Sequence, residues 1–255
     1  MLKNLKQRDC DRWDFFQLTA SESRYLLGKT VFVVFVLDYF FYRSIWALLP
    51  LLGIGFGYYQ MEKRILFQKK KETAREEFKE LMLLTATGQK AGYSAENAFL
   101  SSYQDMKGLF GEDSSVCRML RILKSGRENN SSFPGLWKQI GYRLDITEII
   151  EFAQVYEISQ KSSGNMASVM EKTADIIIHK IEAEKEITVL LSARRLEQKI
   201  MNVMPFAIML YISITSPGYF YDLYQSLAGM LVMSVCLLIY ISAYVLSIRI
   251  ISIKI

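Results

Sequence analysis

The sequence predicts an all-α integral membrane protein with four transmembrane helices, arranged as two hairpins on either side of a charged helical domain. Hydrophobic residues make up 51% of the 255 residues and charged residues 22%. Here the two classes separate, because apolar runs lie towards both ends and most of the charge lies between them. No convincing alternation of apolar and polar residues predicts a strand.

Four apolar runs have the character of membrane-crossing helices. The first two, residues 25–42 and 44–60, are separated only by Arg43, which predicts a tight helical hairpin over residues 25–60. Each is near the lower limit of the roughly 17–25 residues that a spanning helix needs. The third and fourth runs form a second hairpin over residues 199–248. Backbone polar groups cannot remain unpaired in lipid, so all four runs are expected to be helical.

The distribution of basic residues predicts the orientation. Lys and Arg are frequent in residues 61–80 and 180–199, whereas the hairpin tips carry only Arg43. The positive-inside rule therefore places both termini and the central domain in the cytoplasm. The predicted organisation is a cytoplasmic lead at 1–24, a transmembrane hairpin at 25–60, a cytoplasmic helical domain at 61–198, a second transmembrane hairpin at 199–248 and a cytoplasmic tail at 249–255.

The first half of the central domain reads as helices with polar or glycine-containing breaks. Apolar residues at helical spacing from Phe78 predict one helix, which Gly88 and Gly92 are expected to end. Ser94 is the predicted N-cap of the next helix. A further short helix is expected to end near Leu123, followed by a loop with the sequence GRENNSSFPG.

The second half of the central domain contains two further predicted helices. Asp145 and Glu148 form a D-x-x-E version of the capping box, which predicts that a helix starts with Asp145 as its N-cap. Residues 162–165, SSGN, are expected to stop that helix. The next helix starts at about Met166 and is predicted to continue into the third apolar run.

The motifs of common enzymes and metal sites are missing from the sequence. It has no G-x-x-x-x-G-K-[ST] phosphate-binding loop and no H-E-x-x-H or paired-cysteine metal motif. The single histidine, His179, is expected to be an ordinary helix-surface residue. Cys10, Cys117 and Cys236 are expected to be free thiols in a reducing compartment. We therefore predict a non-enzymatic protein with no catalytic residue, cofactor or metal ion.

The formal net charge of +5 could indicate binding to nucleic acid or to a membrane surface. The basic residues lie beside the apolar runs, and no aromatic residues interleaved with Arg suggest a base-stacking surface. The sequence therefore predicts membrane lipid as a partner and no nucleic acid.

Three segments carry a resemblance to a known family. REEFKELMLLTATGQKAGYSAENAF, from Arg75 to Phe99, and RLDITEIIEFAQVYEISQKSSGNMASVMEKTADII, from Arg143 to Ile177, resemble the two helical hairpins of the F domain. ARRLEQKIMNVMP, from Ala193 to Pro205, resembles the junction where the long helix enters the membrane. The chain is thus similar to the F-domain platform proteins of bacterial type II secretion and type IV pilus machines. Its closest likeness is to the shorter Tad/Flp branch.

This resemblance implies a scaffold of the bacterial cytoplasmic membrane that contacts a cytoplasmic secretion ATPase and helps to extract pilin-like subunits from the bilayer. Longer family members carry two F domains, whereas this chain has one over residues 61–198. The second copy is expected to come from another F-domain protein or from a second copy of this chain.

Several charged residues are candidates for docking a partner. Lys69, Lys70, Lys71 and Arg75 form the densest basic run, which could anchor to anionic lipid or dock an acidic face of the ATPase. Arg194 and Arg195, just before the third run, have the same two readings. The acidic candidates at one helix start, which could bind a basic surface or a divalent cation or simply favour that helix end, are Asp145, Glu148 and Glu151.

Two residues inside the apolar runs are candidates for coupling within the membrane. Asp38 lies in the first run, where an acid is a functional candidate by default, although it could also reach water or pair with Arg43. Pro205 is expected to kink the third span. The alternatives to a platform are a small transporter or channel and a related sporulation-channel scaffold.

Overall fold

The computed structural model describes residues 20–42, 48–161, 166–216, Gly218, Tyr224 and 226–251. Within these residues the regular elements are helices and no strand occurs, as the all-α prediction requires. The predicted tip residue Arg43, the 162–165 stop, residues 1–19 of the lead and residues 252–255 of the tail lie outside them. The helices are α1 Ala20–Phe41, α2 Leu48–Lys90, α3 Ala95–Ser101, α4 Tyr103–Phe110, α5 Ser115–Glu128, α6 Phe133–Leu144, α7 Thr147–Lys161, α8 Met166–Leu190, α9 Ser192–Thr215 and α10 Leu227–Ile251.

The described chain divides into two compact units. Unit 1 contains the described part of residues 65–186, and unit 2 contains the described residues before 65 and after 186. Helices α2 and α8 each have residues in both units. The finer domain limits predicted from the sequence, at 60/61 and 198/199, remain predictions.

Unit 1 has a core built around aromatic side chains. Trp137 of α6 is fully buried, and its ring contacts those of Phe78, Phe99 and Phe152 at centroid distances of 5.5, 5.1 and 5.7 Å. These rings come from α2, α3 and α7, so one cluster joins four helices. Aromatic pairs of this kind add stability beyond the area that they bury.

Serine residues define three helix starts in unit 1. The side chains of Ser94, Ser114 and Ser132 each accept a hydrogen bond from the backbone N–H three residues later, at 3.3–3.4 Å. Each bond satisfies one of the N–H groups that a helix leaves unpaired at its start. The N-cap predicted at Ser94 is therefore confirmed.

The helix ends predicted at glycine residues are only partly correct. Helix α2 continues through Gly88, where an added Cβ would lie 3.2 Å from that of Ala98, and Gly92 follows the helix end with φ +94°. Helix α5 extends past Leu123 and includes Gly126, where an added Cβ would collide with the side chain of Leu136. The predicted ten-residue loop therefore shrinks to residues 129–132. Gly88 and Gly126 therefore permit close helix packing rather than ending a helix.

The capping box predicted at Asp145 was wrong. Asp145 closes α6 in the left-handed conformation, with φ 56° and ψ 39°, and α7 starts only at Thr147. The N–H of Ile146 donates to Gly141 O at 3.1 Å, which is the closure expected after a left-handed residue. Asp tolerates this backbone region better than most residues, which accounts for its use in so tight a connection.

The long helix predicted from Met166 is interrupted once. Helix α8 ends at Leu190 and α9 begins at Ser192. Leu191 keeps helical dihedral angles, and the bonds Leu191 N–H to Ile187 O and Arg195 N–H to Leu191 O measure 3.0 and 3.1 Å. The interruption is therefore a single residue, across which i to i+4 hydrogen bonding continues.

Unit 2 packs α1, the first part of α2, α9 and α10 with a small interior. Its buried hydrophobic side chains among the described residues are Leu26, Val34, Leu37, Phe41, Leu51, Met233 and Leu237. The approach of α1 and α2 is close, because a Cβ on Gly55 would lie 2.7 Å from Val34 Cγ2. Many of the other large apolar side chains of these helices are exposed.

One stretch among the described residues is long and apolar enough by itself to cross a membrane. It is Ala228–Ile248 in α10, with a hydropathy of 2.4. A single such stretch is modest evidence for membrane association. The other three predicted spans fall in α1, α2 and α9, which do not meet the same combination of length and hydropathy.

Candidate functional site

The charged residues that the sequence offered as separate docking candidates come together in unit 1. Arg75 of α2 donates from Nη2 to Glu148 Oε1 at 2.6 Å and from Nε to Oε2 at 3.2 Å. This is a two-bond fork between a guanidinium and a carboxylate, which is the geometry that Arg favours. Arg75 Nη1 donates in addition to Glu184 Oε2 of α8 at 2.7 Å. A single side chain therefore links three helices.

Weaker ion pairs surround this fork. Lys71 Nζ lies 3.0 Å from Asp145 Oδ2. Lys180 Nζ lies 3.5 Å from Glu148 Oε1 and 3.4 Å from Glu151 Oε2. We refer to these seven residues as the charge network: Lys71, Arg75, Asp145, Glu148, Glu151, Lys180 and Glu184.

Helical spacing explains how each element contributes. Lys71 and Arg75 are four residues apart on α2, as are Lys180 and Glu184 on α8, so each pair lies on one helix face. Glu148 is in the first turn of α7, where the positive end of the helix dipole favours an acid. The sequence shows these spacings but not which helices face each other.

Because they are more buried, the central residues of the charge network are expected to contribute more to stability than the residues at its rim. The side chains of Arg75 and Glu148 are 14% and 5% exposed, whereas Asp145 and Glu151 are about half exposed at 48% and 50%. Exposed ion pairs contribute about 0–1 kcal/mol to stability. Removing one partner of a buried pair costs more, because the remaining charge is left in a poorly solvated position.

The pKa of Glu148 reflects the same balance. Burial raises the pKa of this carboxyl, but the Arg75 guanidinium, the residue's own backbone N–H and Lys180 lower it by more, so it lies below its ordinary value. Glu148 is therefore held as a carboxylate. Its negative charge keeps Arg75 and Lys180 in place.

Glu77 was missed by sequence reasoning. Its side chain is buried in α2, and Oε2 accepts the backbone N–H of Val116 at 2.8 Å, so it caps the start of α5 from another helix. Burial raises the pKa of Glu77, and the N–H groups of Val116 and Ser115 oppose the increase. A signal was present, because an acid at position 77 falls on the apolar face formed by Ala74, Phe78 and Leu81.

The remaining docking candidates lie outside the charge network. Lys69 is exposed, and Lys70 is half-buried and takes part in other interactions. Arg194 forms a 3.1 Å ion pair with Glu197 within α9, and Arg195 is exposed. A docking role remains a prediction for all of these residues. Arg75 and Glu148 can meet a partner only if their shared fork opens.

The two membrane candidates differ in their surroundings. Asp38 Oδ1 is buried and has no hydrogen-bond partner among the described residues, and the suggested partner Arg43 lies outside them. Pro205 lies inside α9, which continues through it to Thr215. No group of three or more His, Cys, Asp or Glu side chains suited to a metal ion occurs in the described part of the chain.

Comparisons with protein-family models, curated proteins and solved structures found no match for this chain. The resemblance to F-domain platform proteins therefore rests on the three sequence segments alone.

Proposed function

We propose that this chain is a non-enzymatic platform protein of the bacterial cytoplasmic membrane, belonging to a type II secretion or Tad/Flp pilus assembly machine. It would couple a cytoplasmic secretion ATPase to the extraction of pilin-like subunits. The observation that carries this proposal is the buried fork of Arg75 with Glu148, together with the ion pair between Arg75 and Glu184. That ion pair joins α2 and α8, which both also have residues in unit 2.

The contacts inside unit 2 support two antiparallel hairpins. Lys29 Nζ of α1 lies 2.6 Å from Glu62 Oε1 of α2, and Gln198 of α9 donates to Ser247 of α10 at 2.6 Å. These pairs join the charged ends of the apolar segments. At the other end of unit 2, Tyr224 donates to Phe40 O of α1 at 2.7 Å.

The exposed surface of unit 2 supports contact with lipid. Phe32 and Phe35 of α1, Phe56 of α2, Met201 of α9 and Leu231 of α10 are each between 65% and 74% exposed. Large exposed apolar surfaces on a protein mark sites that are covered by another partner. We assign that cover to a bilayer, with α1, the first part of α2, α9 and α10 as the four spans.

In this mechanism the protein makes and breaks no covalent bond. Movement of the ATPase against unit 1 would change the position of α2 and α8 together, because the charge network ties them to α7. Rotation or tilt of the spans would then help an apolar pilin helix to leave the bilayer. The ATPase, a second F-domain protein and the pilin-like subunits are partners that the resemblance implies.

Cross-linking of the tagged full chain in its own membranes, followed by mass spectrometry, tests this proposal. We expect a hexameric secretion-type ATPase and a second F-domain protein to be recovered. Arg75→Ala should reduce their recovery, whereas Lys161→Ala, which removes an exposed pair with Glu157, should not. Recovery of neither protein from intact, expressed chain would contradict the platform function.

Topology is tested separately by labelling single cysteines with a membrane-impermeant maleimide in a cysteine-free background. Gly218→Cys, between α9 and α10, should react in intact cells. Lys124→Cys, exposed in unit 1, should react only after the membrane is opened. The reverse pattern, or equal labelling, would exclude the proposed orientation.

A small transporter or channel is the second candidate function, and Asp38 is the observation that favours it. An acid in a predicted span with one buried, unpartnered oxygen among the described residues is a common feature of ion pathways. Asp38→Asn should abolish ion or proton flux through reconstituted protein if this function is correct. Absence of flux in the unaltered protein would exclude it.

A further inference from the structure

Three exposed basic residues lie where the apolar segments of unit 2 meet charged sequence. They are Arg64 of α2 and Arg195 and Lys199 of α9. None of them has an acidic partner among the described residues, in contrast to Lys71, Arg75 and Lys180 in the charge network.

The acids closest to these residues in sequence are already occupied. Glu62 is 17% exposed, pairs with Lys29 and accepts a hydrogen bond from Tyr58 at 2.9 Å. Glu197 pairs with Arg194 at 3.1 Å. The positive charges of Arg64, Arg195 and Lys199 are therefore left uncompensated.

Contacts within unit 2 place these residues at the same end. Glu62 pairs with Lys29 in the first half of α1, whereas Tyr42, directly after the end of α1, lies 2.8 Å from Ser234 in the first third of α10. The far end of α10 meets the start of α9 through Ser247 and Gln198. The segments around Glu62 and Gln198 therefore share the end opposite to Tyr42.

Helix geometry gives the depth of this basic edge. Lys199 directly precedes the apolar segment that starts at Ile200. Arg195 is four residues further out, which is about 6 Å at 1.5 Å per residue. The headgroup layer on one side of a bilayer is roughly 5–7 Å thick. Both side chains therefore fall at the level of lipid phosphates once the apolar segment is inserted.

We propose that Arg64, Arg195 and Lys199 bind the phosphate groups of anionic phospholipids in the leaflet at this end of unit 2. This inference rests on the membrane insertion in the proposed function and adds a specific lipid requirement to it. Each basic side chain near an anionic leaflet strengthens the interaction by about fivefold. Glu197, the exposed acid between Arg195 and Lys199, is already paired with Arg194 at 3.1 Å, so it leaves these two basic side chains available to lipid phosphate.

The test uses full-length protein in nanodiscs of phosphatidylcholine containing a fixed minor fraction of phosphatidylglycerol. Bound lipids are counted by native mass spectrometry. The unaltered chain should enrich phosphatidylglycerol at least tenfold, and the enrichment should fall as salt is raised, because exposed charges are screened. Added inorganic phosphate at millimolar concentration should not compete, which separates a lipid site from a free phosphate site.

The triple variant Arg64→Gln, Arg195→Gln, Lys199→Gln should lose most of this enrichment. A matched control removes three exposed basic residues from unit 1 that also lack an acidic partner among the described residues: Lys124→Gln, Arg143→Gln and Lys172→Gln. The control should keep the enrichment. Equal enrichment of phosphatidylglycerol by the triple variant would overturn the inference. So would a triple variant that keeps its lipid enrichment but no longer cross-links to an acidic protein in its own membranes, because the basic residues would then serve a protein partner.

Insertion into pure phosphatidylcholine vesicles, followed by flotation, separates this inference from the proposed function. Failure to float with neutral vesicles would contradict the membrane role itself. Flotation with no preference for phosphatidylglycerol would overturn only the lipid site.

Discussion

Helix α7 of unit 1 and helix α10 of unit 2 distribute their apolar side chains in opposite ways. In α7, Phe152 and Tyr156 are at most 1% exposed, while Glu151 is half exposed. In α10, Met233 and Leu237 are buried, while Leu231 and Leu238 are 69% and 64% exposed. One helix separates apolar from polar faces, and the other is apolar on every face.

This difference indicates which surroundings suit each unit. Unit 1 follows the rule for proteins in water, in which one helix stripe is buried and the opposite face is polar. Unit 2 buries a few side chains and leaves a larger apolar surface outside. Stabilisation therefore comes from an aromatic core and a charge network in unit 1, and from close packing and interhelical hydrogen bonds in unit 2.

The largest expected effect is on the aromatic core. Phe99→Ala removes a fully buried ring that contacts Phe133, Trp137 and Phe152, and should lower the free energy of unfolding of unit 1 by about 3–5 kcal/mol. Hydrogen exchange of α5 to α7 in detergent measures it. Ile158→Ala, at a 69% exposed site, should change that free energy by less than about 0.5 kcal/mol.

The second expected effect is on the charge network. Arg75→Ala leaves Glu148 buried with only Lys180 nearby, and should lower the stability of unit 1 by about 3 kcal/mol. Denaturant unfolding of the solubilised chain provides the measurement. Lys161→Ala should cost less than about 0.5 kcal/mol, since its pair is exposed. Equal losses for the two variants would show that the fork stabilises no more than a surface pair.

The third expected effect is a pH dependence with opposite signs at two buried acids. The pKa of Glu148 is lowered in the folded state, so its stabilisation is present above the ordinary pKa of about 4.3 and is lost as the pH falls through its folded-state pKa. The pKa of Glu77 is raised, so its carboxylate lowers stability as the pH rises from about 4.3 through its folded-state pKa.

Melting temperatures of Glu148→Gln and Glu77→Gln across this range check both signs. The melting temperature of Glu148→Gln should lie below that of the unaltered chain, and this difference should shrink as the pH falls. The melting temperature of Glu77→Gln should increase relative to that of the unaltered chain as the pH rises. Parallel curves for all three proteins would contradict both assignments.

The smallest expected effect is in unit 2. The hydroxyls of Tyr42 and Ser234 are 2.8 Å apart, and hydrogen bonds between helices in a membrane contribute about 0.6 kcal/mol on average. A double-mutant cycle with Tyr42→Phe and Ser234→Ala in bicelles should give a coupling energy of that size. A value of several kcal/mol would mean that unit 2 depends on polar contacts as strongly as unit 1 does.

Local sequence signals predicted the helical class and the start of α3 at Ser94, because capping depends on residues that are close in the chain. Glycine was harder to interpret. Gly92 ends a helix with a positive φ, whereas Gly88 allows α2 to approach Ala98, and both look alike in the sequence. The second role requires knowledge of the neighbouring helix, so the breaks were placed too early.

The same limit applies to the charged residues. Spacing showed that Lys71 and Arg75 share a helix face, but the fork with Glu148 joins residues 73 positions apart. Asp145 was expected to start α7 because its side chain suits a cap, yet the left-handed turn after α6 uses its backbone instead. The four-span organisation remains a prediction, and labelling at Gly218 and Lys124 tests one part of it: the sides of the membrane on which the α9–α10 connection and unit 1 lie.

The cap that Glu77 provides has a consequence for biosynthesis. Its carboxylate binds the N–H of Val116, so the start of α5 is completed by a residue synthesised 39 positions earlier. A growing chain presents Glu77 before α5 exists, and the contact closes a loop whose entropic cost grows only slowly with length. We expect α2 to be the template on which the later helices of unit 1 assemble as they leave the ribosome.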